Sequence, residues 1–359
     1  MDEPLFISSF RSFRRVPTAA LFAVLLFVVV EFAIAMIWRP DVIGIRRYST
    51  LSLSHDYGYA SDIPRLFREG ASLHYYPTEY VDMRPFAIDE RKPAREIRIF
   101  TFGTSVTRAG GLPLGTAYPE LLELMLNERH SEYDWHVVNL AAAGIGTTRI
   151  MNVLLNMVPY DPDVIIVHPH GSNEYEDERD ARLREQLYSG LNGLFLRSRL
   201  VVYLKKFEAE RFGSQDDQGE PGNAEHLAGL DPENTERWMA TMEANMRRID
   251  GVTRELELPS IYIGRAERDA ELFSDERIER LNSPISAQPH YLDVAAAFAG
   301  AVNEYSNSDL FQNLTHYSEV GHQIVARELY EMIRPGGPLF EQISAHRKAH
   351  AMWLEGRTP

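Results

Sequence analysis

The residues best suited to chemistry in this sequence are one serine, one histidine and a few amide donors spaced between them. Gly103-Thr104-Ser105 follows the short strand-like run Glu96–Phe102. A glycine there lets the chain turn sharply and exposes the side chains that follow. A serine so placed is a nucleophile once a base reaches its hydroxyl. Read alone, it serves equally well as the cap of a following helix. Near the carboxyl end, Asn313-Leu-Thr-His316 sets a histidine just ahead of a helical stretch, where it can act as that base. Between these blocks, Asn139-Leu-Ala-Ala-Ala-Gly144 offers a glycine amide, and Gly171-Ser172-Asn173 offers a side-chain amide. Such N–H groups hold a developing oxyanion.

The order Ser, Gly, Asn, His, each at a strand end or an equivalent loop, resembles the SGNH (GDSL-like) hydrolases over roughly residues 96–334. Gly103-Thr-Ser105 is similar to that family's first block and Gly144 to its second. Gly171-Ser-Asn173 is similar to the third, and Asn313-x-x-His316 to the last. The resemblance implies a three-layer α/β/α, flavodoxin-like parallel sheet. It also implies ester hydrolysis through an acyl-serine. Ser105 attacks the ester carbonyl, and His316 takes the serine proton and returns it to the leaving alcohol. The backbone N–H groups of Ser105 and Gly144 and the Asn173 side chain form the oxyanion hole, where one donor is worth about 3–4 kcal/mol of barrier. No metal or organic cofactor is called for.

Two positions depart from the family pattern. Thr104 stands where Asp usually precedes the serine, a mild change because that position does not react. Asn313 stands where an aspartate usually orients the histidine. In a serine protease the same exchange lowers turnover by about ten-thousand-fold, because the neutral amide can select the wrong tautomer. Asn313 either helps His316 in this form or leaves the site weakened. Asp309 is a nearby carboxylate, but its spacing does not suit the family's turn.

Other candidates take plainer readings. His168 and His170 flank Pro169 and could line the pocket, and no carboxylate spacing supports a metal there. His322 reads as a packing or surface residue, Asp293 as the end of a strand that ties a loop, and Arg108 as a solvated or salt-bridged helix residue. Asn313-Leu-Thr315 is formally a glycosylation sequon, but a sugar there would crowd the base.

The elements that must hold these residues follow from periodicity. Strands are expected at Glu96–Phe102, Trp135–Leu140, Asp163–Val167 and Leu258–Ile263. Helical spacing covers 117–130, 147–157, 181–212, 233–256 and 320–333. Near-continuous apolar strands alternating with helices indicate a parallel sheet covered on both faces. Asp231 and Pro232 suit the start of the helix over 233–256. The Gly-, Pro- and acid-rich stretch to 232 reads as a mobile insertion over about 208–232.

Composition bounds the rest. With 52 acidic against 37 basic residues, a formal charge of -15 argues against a nucleic-acid partner. The absence of cysteine removes disulfides and thiolate chemistry. From Pro17 to Trp38 the chain is apolar on every face with one charge, Glu31, about the length of a membrane-crossing helix. Ala33-Ile34-Ala35 also resembles a signal-cleavage site, but the apolar run is longer than most signal cores. Arg11, Arg14 and Arg15 before the run nearly balance Arg39, Arg46 and Arg47 after it. The short amino-terminal tail then favours a single-pass anchor with the large domain outside the cytoplasm. The expected layout is a tail (1–16), an anchor (17–38), a juxtamembrane arm (39–95), the hydrolase-like domain (96–335) and a carboxyl-terminal tail (336–359). The expected partner is an ester substrate, an O-acylated carbohydrate or a lipid-derived ester. Acyl transfer to a glycan, or binding of a glycan or protein without catalysis, are the alternatives on this fold.

Overall fold

A computed structural model describes residues 9–37, 64, 66–76, 83–170, 173, 174, 177, 178, 200, 232–268 and 275–355. The chain divides into two compact units, Met1–Ser61 with Arg182–Gly219, and Asp62–Ala181 with Glu220–Pro359. The helix expected at 181–212 and the insertion expected at 208–232 lie almost wholly outside the described residues.

In the first unit, helix α1 runs Ser9–Ile37. Its side chains are described over 19–33, and Leu21, Phe22, Val24, Leu25 and Phe32 are all exposed. Glu31 Oε2 accepts the backbone N–H of Leu200 at 3.1 Å. Among the described residues, no helix is long and apolar enough to cross a membrane.

Among its described residues the second unit carries two sheets. Strands β1 (Phe67–Glu69), β2 (Ser72–Tyr75) and β3 (Phe86–Asp89) form a three-stranded antiparallel sheet. The main sheet is built of β4 (Glu96–Gly103), β5 (Asp134–Asn139), β6 (Val164–His168), β7 (Ser260–Ile263) and β8 (Tyr291–Leu292). All its pairings are parallel, in the order β5-β4-β6-β7-β8. Counted from β4 that is the flavodoxin-like order, whose switch point falls between β4 and its neighbour β6. The loops leaving those strands therefore diverge and open a crevice.

Helices cover both faces. They are α2 (Ser105–Arg108), α3 (Tyr118–Arg129), α4 (Thr147–Met157), α5 (Pro232–Glu255), α6 (Asp275–Ser286), α7 (Val294–Ala301), α8 (Asn307–Leu310), α9 (Glu319–Ile333) and α10 (Phe340–Glu355). Alternation along β4 sorts the core. Ile97 and Ile99 pack with Leu122, Leu126, Val325 and Leu329 of α3 and α9. Phe100 and Phe102 pack with Ile150, Leu154 and Met246 of α4 and α5. The result is a three-layer α/β/α unit, as expected from strands buried on both sides.

Two stretches carry more structure than their sequence indicates. The arm expected at 39–95 includes β1–β3, where Leu73, Tyr75 and Ile88 join the second core cluster. Residues 336–359, expected as a tail, include α10, and Leu339 and Ile343 are fully buried in the first cluster. The hold on α10 is partly polar, since Arg347 donates to the carbonyls of Glu96 and Ala94 at 2.6 and 2.7 Å. That explains why an apolar-periodicity reading overlooks it.

Candidate active site

Ser105 opens α2 directly after β4, beside the switch point. Thr104 holds an extended N-cap conformation, and Gly103 is forced by packing: a Cβ there would lie 2.1 Å from Thr107 Oγ1. His316 reaches the serine from the far end of the chain. Its loop is pinched by a bridge between Phe311 and Tyr317, by Gln312 N–H donating to the His316 carbonyl at 2.8 Å, and by Gln312 Nε2 donating to the Tyr317 carbonyl at 2.7 Å. Gln312 Nε2 also lies 3.3 Å from the Gly110 carbonyl, which couples this loop to the turn after α2.

Ser105, His316 and Asn313 form a line. His316 Nε2 is 2.9 Å from Ser105 Oγ, and His316 Nδ1 is 3.0 Å from Asn313 Oδ1. Asn313 Oδ1 also accepts the backbone N–H groups of Thr315 and His316 at 3.0 and 2.9 Å. Those two donors decide which end of the amide faces the ring, because an NH2 group turned to them would repel. An acceptor facing Nδ1 requires Nδ1–H, which leaves the Nε2 lone pair toward the serine hydroxyl. The tautomer that an asparagine threatens to spoil is thus the productive one here. What Asn313 lacks is charge.

Gly144 and Asn173 belong to the two neighbouring strand-end loops. Gly144 has φ +64, the left-handed region glycine enters without strain. Its loop runs into α4, whose N-cap, Gly146, has no side chain to satisfy the first amides. Residues beyond β6 do so instead. Asp177 accepts the N–H groups of Gly146 and Arg149 at 2.8 and 3.2 Å, and Glu174 accepts that of Thr147 at 2.7 Å. Arg149 then bridges back, pairing with Asp177 and donating to the Gly144 carbonyl. Burial, and next the Asp177 charge, push the Glu174 carboxyl up to about 8, so at neutral pH it is mainly the uncharged acid. The two loops assigned to oxyanion binding are therefore fastened to one another. Gly171 and Ser172 lie outside the described residues.

Behind the serine lies a buried polar cluster. Tyr118 Oη donates to Thr107 Oγ1 at 3.1 Å, and Thr107 Oγ1 is 3.0 Å from His168 Nδ1. His322 Nδ1 accepts the Tyr118 N–H at 3.3 Å. Burial pushes both His168 and His322 down to about 3, so both rings are neutral at any physiological pH. Arg84, also buried, donates to the carbonyls of Arg108, Ala109, Leu112 and Pro113 and pairs with Glu120 at 3.0 Å. It clamps the turn that follows the serine.

The structure thus brings Ser105, His316 and Asn313 into one hydrogen-bonded line. Asp309 is not part of it: its carboxylate accepts from Ser306 N and Oγ at 2.8 and 2.6 Å and starts α8. His322 is a packing residue, fully buried, and Asp293 caps α7 by accepting the Ala296 N–H at 3.0 Å. Sequence reasoning overlooked Arg84, Arg149 and Asp177. Their partners are mainly backbone groups brought close only by the fold, and no short-range spacing marks them.

No family model matches the chain, and no curated protein does. Solved structures with a similar fold include LAE5, an alpha/beta hydrolase enzyme from the metagenome of Lake Arreo, Spain. It is 16% identical over 65% of this chain and 92% of its own, with a TM-score of 0.41. Axe2, an acetylxylan esterase from Geobacillus stearothermophilus, is 14% identical over 65% and 91%, at 0.39. A putative GDSL-like lipase from Parabacteroides merdae is 13% identical over 64% and 92%, at 0.40. At such identities and superposition scores the likeness goes no further than the fold, and the chemistry rests on the distances within this chain.

Proposed function

We propose that this chain is a serine ester hydrolase that acts through an acyl-serine intermediate, on a short acyl group carried by a carbohydrate or lipid-derived substrate at a membrane surface. The observation that carries the reading is the unbroken line from Ser105 Oγ to His316 Nε2 at 2.9 Å and from His316 Nδ1 to Asn313 Oδ1 at 3.0 Å. In the proposed sequence His316 Nε2 takes the Ser105 proton as Oγ attacks the ester carbon. The ring becomes an imidazolium, and Nδ1–H stays bonded to Asn313. The carbonyl oxygen gains charge opposite the N–H groups of Ser105 and Gly144 and the Asn173 amide. Collapse expels the alcohol, which receives its proton from His316. Water then repeats the attack with His316 again as base, releasing the acid and restoring Ser105.

The membrane assignment rests on the run from Pro17 to Trp38 and on the exposed apolar side chains that α1 shows over 19–33. The whole run from Pro17 to Trp38 has the roughly 20 residues a crossing needs. The large domain is proposed to lie on the extracytoplasmic side. One experiment tests the anchor and the mechanism together. Full-length chain should stay with membranes through a high-salt wash and, once extracted in detergent, hydrolyse p-nitrophenyl acetate. Ser105→Ala and His316→Ala, recovered from the same fraction, should each lose about a thousandfold or more in turnover. Release by salt would remove the anchor, and activity in both variants would remove the mechanism.

A further inference from the structure

His170 takes no part in the serine–histidine line, yet it is buried just beyond a strand end. We propose that His170 is a positioning residue: its Nδ1–H donates to Asn173 Oδ1 and so keeps the Asn173 NH2 turned toward the developing oxyanion. The proposal rests on the oxyanion role given to Asn173 above.

The Asn173 N–H donates to the His170 carbonyl at 2.9 Å, which ties the two residues together just beyond β6. Their side chains meet as well, His170 Nδ1 lying 3.2 Å from Asn173 Oδ1. Both residues are buried, 6% and 7% exposed, so water cannot readily replace that bond. An amide has two unlike ends. With the oxygen held by His170, the NH2 is free to donate to an oxyanion. Rotated by half a turn, the side chain would present a lone pair to the same negative charge and raise the barrier it should lower. Only a donor on the ring selects the useful orientation.

The surroundings keep both partners in place. Glu267, whose side chain is fully buried and ion-paired with Arg265, closes the far side of the ring, its Oε1 3.9 Å from His170 Nε2. On the other side Gly146 packs so closely that a Cβ there would lie 2.7 Å from the Asn173 carbonyl. His170 and Asn173 therefore lie between the segment that follows β7 and the start of α4.

A double-mutant cycle on full-length protein, read with p-nitrophenyl acetate, tests the proposal. Asn173→Ala should lower kcat about a hundredfold or more. His170→Phe keeps a ring but no donor, and should lower kcat about tenfold with KM changed less than about twofold. In the Asn173→Ala background the same replacement should cost less than about twofold, because the group it positions is gone. His170→Gln, whose amide can donate, should stay within about threefold of wild type. Should His170→Phe fail to fold, His170→Met serves as the non-donor. A tenfold loss in both backgrounds, or no loss in wild type, overturns the positioning role alone. An Asn173→Ala enzyme with wild-type kcat overturns the oxyanion assignment and the proposal with it.

Discussion

Asn313 Oδ1 receives two backbone N–H groups as well as the His316 ring, so a carboxylate could replace the amide without moving an atom of the loop. Asn313→Asp keeps every acceptor contact and adds a negative charge beside the imidazolium formed during attack. The residue is exposed, which makes the charge cheap to hold and also screens it. Turnover of a simple acetyl ester should therefore rise about tenfold, well short of the factor seen where the orienting carboxylate is buried. His316→Ala should cost far more than Asn313→Ala. Steady-state kinetics on folded protein checks both, and three equal, negligible effects would remove His316 as the base. The serine, the histidine and the asparagine were legible because each lies in a short block with a recognisable order. The benefit of the asparagine was not, since it depends on where the Thr315 and His316 amides point.

Gly103, Thr107 and Tyr118 belong to three successive elements, and their packing sets where α2 begins. A Cβ on Gly103 would lie 2.1 Å from Thr107 Oγ1 and 2.6 Å from Thr107 Cβ, so Gly103→Ala must displace the helix that starts with Ser105. The expected result is a loss of about 1–3 kcal/mol in urea denaturation, with at least a tenfold fall in turnover. A variant of unchanged stability and rate would show that α2 tolerates the shift. Most elements around the site could be drawn from sequence periodicity: Tyr118–Arg129, Thr147–Met157, Pro232–Glu255 and Glu319–Ile333 fall within a residue or so of expectation. Other pieces escaped in whole or part. β8 has two residues, and only its end was marked, by Asp293; α8 has four, too few to show a period; and α10, though long, is held partly by arginine bonds to backbone carbonyls.

At the scale of the whole second unit, three buried titratable groups should shape how stability responds to pH. His168 and His322 are held near 3 by burial, against 6.5 when unfolded. Below about pH 6.5 the unfolded chain takes up protons that the native state refuses, so stability falls as pH drops, by up to about 1.4 kcal/mol per unit for each ring. Glu174 works the other way. Its carboxyl sits at about 8 against 4.5 unfolded, so its contribution is complete below 4.5 and is lost as pH rises toward 8. Together these groups predict a stability maximum near pH 6.5. Urea titrations from pH 5 to 8 should show Glu174→Gln flattening the alkaline limb and His322→Asn shallowing the acid limb; unchanged slopes would mean the groups titrate normally. The strand order, which opens the crevice between β4 and β6, is what lets a serine near residue 100 meet a histidine 211 positions later. That meeting is the centre of the account. Its most direct test is intact-mass and peptide analysis of the full chain after exposure to a fluorophosphonate. The account predicts one adduct per chain, on Ser105, absent from Ser105→Ala and strongly slowed in His316→Ala. An adduct on another residue, or one that survives Ser105→Ala, would contradict it.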